Sequence, residues 1–217
     1  MSKQFWAIIA VIVLVFVGIF AFGGNKSNKS GAGGNKSALT QNIQGKGTTG
    51  VTLTEYGDFQ CPYCQQYAPT VQAVQAQYGD KIKFQFRNYP LVSLHKNAFA
   101  AARAGQAAAL QGKFWEMHDI LYQTSNWQVW TQAGDPTTYF DQFAKALGLN
   151  VAQFKSDFAS SKVNDAVNAD IAEGTKLGIT GTPTFFINGK KTDLANSQEA
   201  FQTQIDAAIA KSSAPKQ

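Results

Sequence analysis

The chain has 217 residues, a hydrophobic fraction of 44% and a net charge of +5, enough for one domain with a sizeable core and an inserted subdomain. Its 2 cysteines are too few for a disulfide-stapled scaffold. The basic balance does not point to nucleic acid: the lysines are scattered, several fall in one low-complexity stretch, and no basic stripe with interleaved aromatics occurs.

A short tail, residues 1–4, leads into Phe5–Phe22, an apolar run without charge. As a helix its ~18 residues would extend ~27 Å, close to the thickness of bilayer hydrocarbon, so residues 5–22 are expected to be a transmembrane signal-anchor. The competing reading is a cleavable signal peptide. The run exceeds the usual ~7–15 apolar residues of a signal, yet Ala21-Phe22-Gly23 would serve as a cleavage site. No cysteine follows the run to carry a lipid. Only Lys3 precedes it, whereas Lys26, Lys29 and Lys36 follow. By the positive-inside rule that places the next domain in the cytoplasm, while the redox chemistry below argues for the extracytoplasmic side. Residues 23–50 are Gly, Ser, Asn and Lys in the main and read as a flexible tether.

The folded domain is expected over 51–211, with a disordered tail at 212–217. VTLTEYGDF alternates as a strand does, placing Val51, Leu53 and Glu55 on one face. A carboxylate on an apolar face is unusual, and Glu55 is a candidate for that reason. Pro62 suits a first helical turn, and the helix should run to Tyr78-Gly79-Asp80 with a kink at Pro69. KIKFQFRNY alternates again and should bury Ile82, Phe84 and Phe86. From about 93 to 177 the pattern is helical, with Gly148 closing one helix, Asn150 capping the next, and Gly178 ending the block. TPTFFI, then NG, then KKTD signals a hairpin with a type I′ turn at Asn188-Gly189. Asn196, with Glu199 three residues on, can start a last helix. This order of elements is a mixed α/β sheet domain with a helical insertion.

Both cysteines lie in Cys-Pro-Tyr-Cys, Cys61 to Cys64, where a strand gives way to a helix. Helix N-termini present unpaired N–H groups and the positive end of the dipole, so a thiolate at Cys61 would be stabilised and Cys64, a turn deeper, could close a disulfide with it. A zinc clip would want about four protein ligands, and only His95 and His118 remain to supply them. A staple this short removes little unfolded-chain entropy. A working redox pair is the reading left.

Three stretches, TEYGDFQCPYC, LQGKFWEMHDILY and GITGTPTFFING, resemble the thioredoxin-fold thiol–disulfide oxidoreductases, most closely the bacterial DsbA-like proteins with a helical insertion. The likeness covers about Val51 to Lys211. It implies a thioredoxin fold with an inserted helical subdomain, preceded here by the transmembrane helix. It also implies residue roles: Cys61 as exposed nucleophile, Cys64 as resolving thiol, Pro62 and Tyr63 as the dipeptide that tunes the potential. Thr182 and Pro183 match the cis-proline loop that meets substrate backbone, and Glu55 matches a buried acid that relays a proton to Cys64. Asp58 falls on the polar face and ranks below Glu55. Trp115, Met117 and His118 read as core or helix surface, and Trp127 and Trp130 could line an apolar groove.

The function implied is a membrane-anchored, single-pass oxidase that donates the Cys61–Cys64 disulfide to unfolded or reduced secreted proteins. It would need no metal or other cofactor and would work as a monomer, reoxidised by a membrane quinone-linked thiol oxidase. A reductase or isomerase on the same fold is the alternative, because Tyr63 supplies no cation where strongly oxidising members of the family carry histidine. A tethered binding or chaperone module, with the cysteines incidental, is the reading from another class.

Overall fold

The computed structural model describes residues 39–214. Strands β1 (Asn42–Gln44) and β2 (Thr52–Gly57) lead to helix α1 (Pro62–Tyr78) and strand β3 (Lys83–Asn88). Six helices follow: α2 (Ala98–Ala109), α3 (Phe114–Tyr122), α4 (Thr124–Trp130), α5 (Thr137–Ala146), α6 (Val151–Ala159) and α7 (Ser161–Lys176). The chain then returns as β4 (Thr184–Ile187), β5 (Lys190–Thr192) and α8 (Gln198–Ser213). This is a thioredoxin fold with α2–α7 as the inserted helical subdomain.

The sheet order is β1-β3-β2-β4-β5. Strands β2 and β3 run parallel, with α1 as the crossover that a parallel pair requires. Strand β2 is central, so Glu55 faces Phe86 of β3 on one side and Phe185 of β4 on the other. The β4–β5 hairpin turns at Asn188 (φ 51°) and Gly189 (φ 76°), both left-handed as a type I′ turn needs. Gly57 at the end of β2 leaves room for Phe86: a Cβ there would come within 2.4 Å of the Phe86 ring.

Two cores meet at α1. Leu53, Val71, Val74, Phe84, Phe185 and Phe201 fill the space between the sheet, α1 and α8. On the other side Phe59, Met117, Leu121, Trp130 and Phe140 pack with the alanines of α2 and with both cysteines. The alanine-rich stretch therefore works by being small, letting neighbouring helices approach α2 closely. A buried carboxylate, Asp170 of α7, joins this subdomain to the sheet: it accepts from the Thr40 hydroxyl at 2.7 Å and from Asn88 N and Nδ2, each at 2.9 Å.

Several expectations need correction. The tether expected over 23–50 gives way to structure inside its own bounds: Asn42–Gln44 is the edge strand β1, antiparallel to β3. One apolar residue, Ile43, is too little pattern to announce a strand, and the pairing is held by backbone groups of β3. Ser197, not Asn196, caps α8, its hydroxyl accepting from Ala200 N at 3.3 Å; Asn196 donates instead to Gln66 O. Asn150 does cap α6, accepting from Gln153 N at 3.0 Å. Helix α8 runs into the expected tail, to Ser213.

The fold described is a thioredoxin fold without the expected transmembrane helix among its elements. Among the described residues no helix is long and apolar enough to cross a membrane. The longest of them, α1, has 17 residues and carries Gln65, Gln66, Gln72, Gln75 and Gln77, against the ~20 apolar residues a span requires. The expected span, residues 5–22, lies outside the described residues.

Candidate functional site

The site is built at the point where β2 feeds α1. Cys61 is the N-cap of α1, extended at φ −69° and ψ 124°, with Pro62 opening the first turn. The Cys61 amide donates to Asp58 O at 3.0 Å, and its carbonyl accepts from Gln65 N at 3.1 Å. Both cysteines are free thiols. The loop before β4 closes over them: Thr182-Pro183 is a cis peptide, and Cys61 Sγ lies 3.4 Å from the Thr182 carbonyl. Cys61 is therefore less open than expected, only 4% exposed, while Tyr63 beside it is 65% exposed. A groove of about 450 Å³ runs alongside, lined by Tyr63, Thr182, Pro183, Thr184 and Leu194 among others.

The two thiols are driven apart electrostatically. Cys61 is lowered to about 6, first by a hydrogen bond from the Cys64 thiol, then by Thr182 and by the Cys64 and Tyr63 amides, against the opposing effect of burial. Thr182 acts in two directions. Its carbonyl accepts from the neutral thiol, whereas its hydroxyl, buried without another partner, favours the thiolate when it turns to donate. Cys64 moves the opposite way, raised well above the ordinary thiol range by burial, by its bond to Cys61 and by the charges of Glu55 and Cys61. Glu55, 7% exposed, is raised to about 8 by burial and by the Cys61 charge. No described cation pairs with it, so burial governs its titration.

Asp58 is not on a polar face. It is 1% exposed and its carboxylate is fully engaged: Oδ1 accepts from Gln60 N at 2.7 Å, and Oδ2 accepts from Leu91 N at 2.8 Å and pairs with His95 Nδ1 at 2.7 Å. The Asp58–Gln60 bond is an Asx turn, legible in the sequence; the His95 partner, which pins the loop after β3 beneath the cysteines, is not. Trp130 does not line a groove: it is 0% exposed and donates from Nε1 to Leu121 O. Trp127 is half-buried, its Nε1 donating to Phe59 O at 2.9 Å. His118 is core, held by Asp119 at 2.9 Å.

Comparison with known proteins agrees with this geometry. The thioredoxin family model matches residues 37–207. A thioredoxin-like oxidoreductase from Silicibacter pomeroyi DSS-3 is similar at 26% identity and a TM-score of 0.64, covering 79% of this chain and 92% of that one. The α-DsbA1 protein of Wolbachia pipientis, at 21% identity and a TM-score of 0.69 over 81% of this chain and 94% of its own, shares the fold. Among curated sequences, a Na⁺/H⁺ antiporter NhaA 1 of Mycolicibacterium gilvum (strain PYR-GCK) is 37% identical over 151 residues, 69% of this chain. The chain spans only 23% of that protein's length.

The expected membrane-anchored type, its single-pass extracytoplasmic placement, the bilayer as partner and the quinone-linked oxidase are corrected together. What the family match and the similar structures support is a thioredoxin-family domain with a closely spaced cysteine pair, and among the described residues no helix is long and apolar enough to cross a membrane. A thioredoxin fold, a closely spaced Cys61–Cys64 pair at a helix N-terminus and a family match over most of the sequence lead to one conclusion: the chain belongs to the thioredoxin family.

Proposed function

We propose that this redox domain passes the Cys61–Cys64 disulfide to reduced protein substrates. In this reading Cys61 is the nucleophile, Cys64 the resolving thiol and Glu55 the proton carrier for Cys64. Pro62 and Tyr63 shape the first turn of α1. Thr182 and Pro183 offer backbone to an extended substrate segment lying in the groove. The observation that carries the reading is the asymmetry of the pair, one thiol lowered to about 6 and the other raised. A stabilised Cys61 thiolate favours the reduced form and so makes the disulfide a better oxidant.

The magnitude is modest. Relative to an ordinary thiol at 9.0, a Cys61 at about 6 stabilises the reduced form at pH 7 by at most ~1.4 kcal/mol, ~30 mV for a two-electron couple, and solvent screening reduces this. The contribution is complete above pH 9 and is lost as pH falls through about 6, because the lowered group must be ionised to contribute. Thioredoxin, with a cysteine near ~7, stands at ~−270 mV. The expected potential here is therefore about −250 mV, ~20 mV above thioredoxin. Structural disulfides lie below ~−300 mV, so donation to substrates runs downhill by at least ~50 mV, ~2.3 kcal/mol.

Equilibrating the protein with glutathione buffers and counting alkylated thiols measures this potential. A value at or below ~−270 mV would overturn the donor reading in favour of a disulfide reductase. One observation favours that second reading: every group that lowers Cys61 is a neutral hydrogen-bond donor, none a cation.

A further inference from the structure

Tyr122 ends α3 beneath the active-site turn. Its ring packs against Phe59 at 5.1 Å and His118 at 5.0 Å between centroids, and it shares one buried cluster with Phe59, Cys61, Cys64 and Ala68. Gln65, next after Cys64, donates from Nε2 to the Tyr122 carbonyl at 3.4 Å, tying the end of α3 to the first turns of α1. The residue is 3% exposed, and its hydroxyl is buried with no hydrogen-bond partner among the described residues. Buried hydroxyls are seldom left so, because the lost solvation is not recovered. Phenylalanine would fill the same space without that cost.

The surroundings suggest what the hydroxyl serves. Burial keeps the phenol protonated, and the charges that act on it are, in order, those of Cys64 and Glu55, then Asp58 and Cys61. His118, its other titratable neighbour, has its Nδ1 committed to Asp119. The orphaned donor thus belongs to the residue that shares one buried cluster with both cysteines, on which charge appears during thiol exchange.

We propose that the Tyr122 hydroxyl is a donor held ready for the thiolate that forms at Cys64 when the Cys61–Cys64 disulfide opens. The inference rests on the exchange reading above and adds one residue to it. A substrate thiolate attacks Cys61 Sγ; a new S–S bond forms there, the Cys61–Cys64 bond breaks, and its electron pair leaves on Cys64 Sγ. Tyr122 donates a hydrogen bond to that anion and keeps its proton. The proton that finally neutralises Cys64 comes from the Glu55 carboxyl. A donor that gains its acceptor only as charge develops lowers the barrier more than it stabilises the starting state.

The test is Tyr122→Phe in the full chain. The oxidised protein is mixed with reduced glutathione under single-turnover conditions between pH 5 and 9, and disulfide opening is followed by acid quench and alkylation. The variant should open about tenfold more slowly, as expected for a lost hydrogen bond to an ion. Its thermal midpoint should be unchanged or higher, since an unpaired buried hydroxyl is gone. In a Cys61→Ser background, the Cys64 thiol should titrate at higher pH once Tyr122 is Phe. An unchanged opening rate overturns the inference, as does a slower rate with a lowered midpoint, which would mark a structural hydroxyl. Wild type exchanging normally while Tyr122→Phe matches it removes this inference alone. Wild type failing to exchange removes the exchange reading, and this inference with it.

Discussion

Replacing Glu55 by glutamine should change the pH dependence of stability by about 3 kcal/mol. In the reduced protein the Glu55 carboxyl is raised from 4.5 to about 8, chiefly by burial. An acid whose folded pKa lies above its unfolded one holds its proton longer in the folded state, so the fold loses stability as pH rises from 4.5 towards 8. Between pH 4 and pH 7 that loss integrates to ~3 kcal/mol at ~1.4 kcal/mol per unit. The Glu55→Gln variant does not titrate. Its stability relative to wild type should therefore rise by ~3 kcal/mol across that interval, whatever the amide itself gains or loses by contact. Urea unfolding of both proteins at pH 4, 5.5 and 7 measures it, and parallel curves would show that Glu55 is not held neutral. The same variant cannot deliver a proton to Cys64, so disulfide opening should slow by about 100-fold, the lower range of general acid catalysis. Greater stability bought at the expense of turnover would identify a carboxylate kept for chemistry rather than for packing.

Cys61→Ser should reduce exchange to the uncatalysed background, whereas Cys64→Ser should still attack an external disulfide and stop there. The reason is the division of labour in the first turn of α1. With Cys61 at about 6, roughly nine in ten molecules carry the thiolate at pH 7, and the thiolate is the nucleophile. A serine hydroxyl is not ionised at that pH. In Cys64→Ser the mixed disulfide on Cys61 has no internal thiol to resolve it, so it should accumulate and be visible by intact-mass measurement. The largest lowering influence on Cys61 is the bond from the Cys64 thiol. Serine can still donate it; alanine cannot. Absorbance of the thiolate against pH should therefore show Cys61 little changed in Cys64→Ser and moved up towards the ordinary thiol range in Cys64→Ala. Equal titrations in the two variants would mean that the helix N-terminus, not Cys64, sets the nucleophile.

The sequence by itself determined whatever depends on a few neighbouring residues. Cys-Pro-Tyr-Cys announced a thiol at a helix start because proline opens a first turn without needing its missing N–H. Asn188-Gly189 announced a hairpin because both positions need left-handed backbone. Alternation in VTLTEYGDF put Glu55 with Leu53, since the side-chain period of a strand is 2, and the residue is indeed buried. Alternation misplaced Asp58, because the chain has left the strand by that point and an Asx turn re-aims its side chain.

Only the tertiary structure could decide the remainder. The Thr182 carbonyl reaches Cys61 across 121 positions, and His95 reaches Asp58 across 37. Strand β1 exists because β3 offers a backbone edge, not because Asn42–Gln44 has strand character of its own. Tyr122 shares a buried cluster with the cysteines because α3 packs back onto α1, and its ring gave no sign of this in a helix where aromatic spacing reads as ordinary core. Burial, desolvation and charge coupling depend on what surrounds a group from every side. Periodicity and turn chemistry record only what precedes and follows it along the chain.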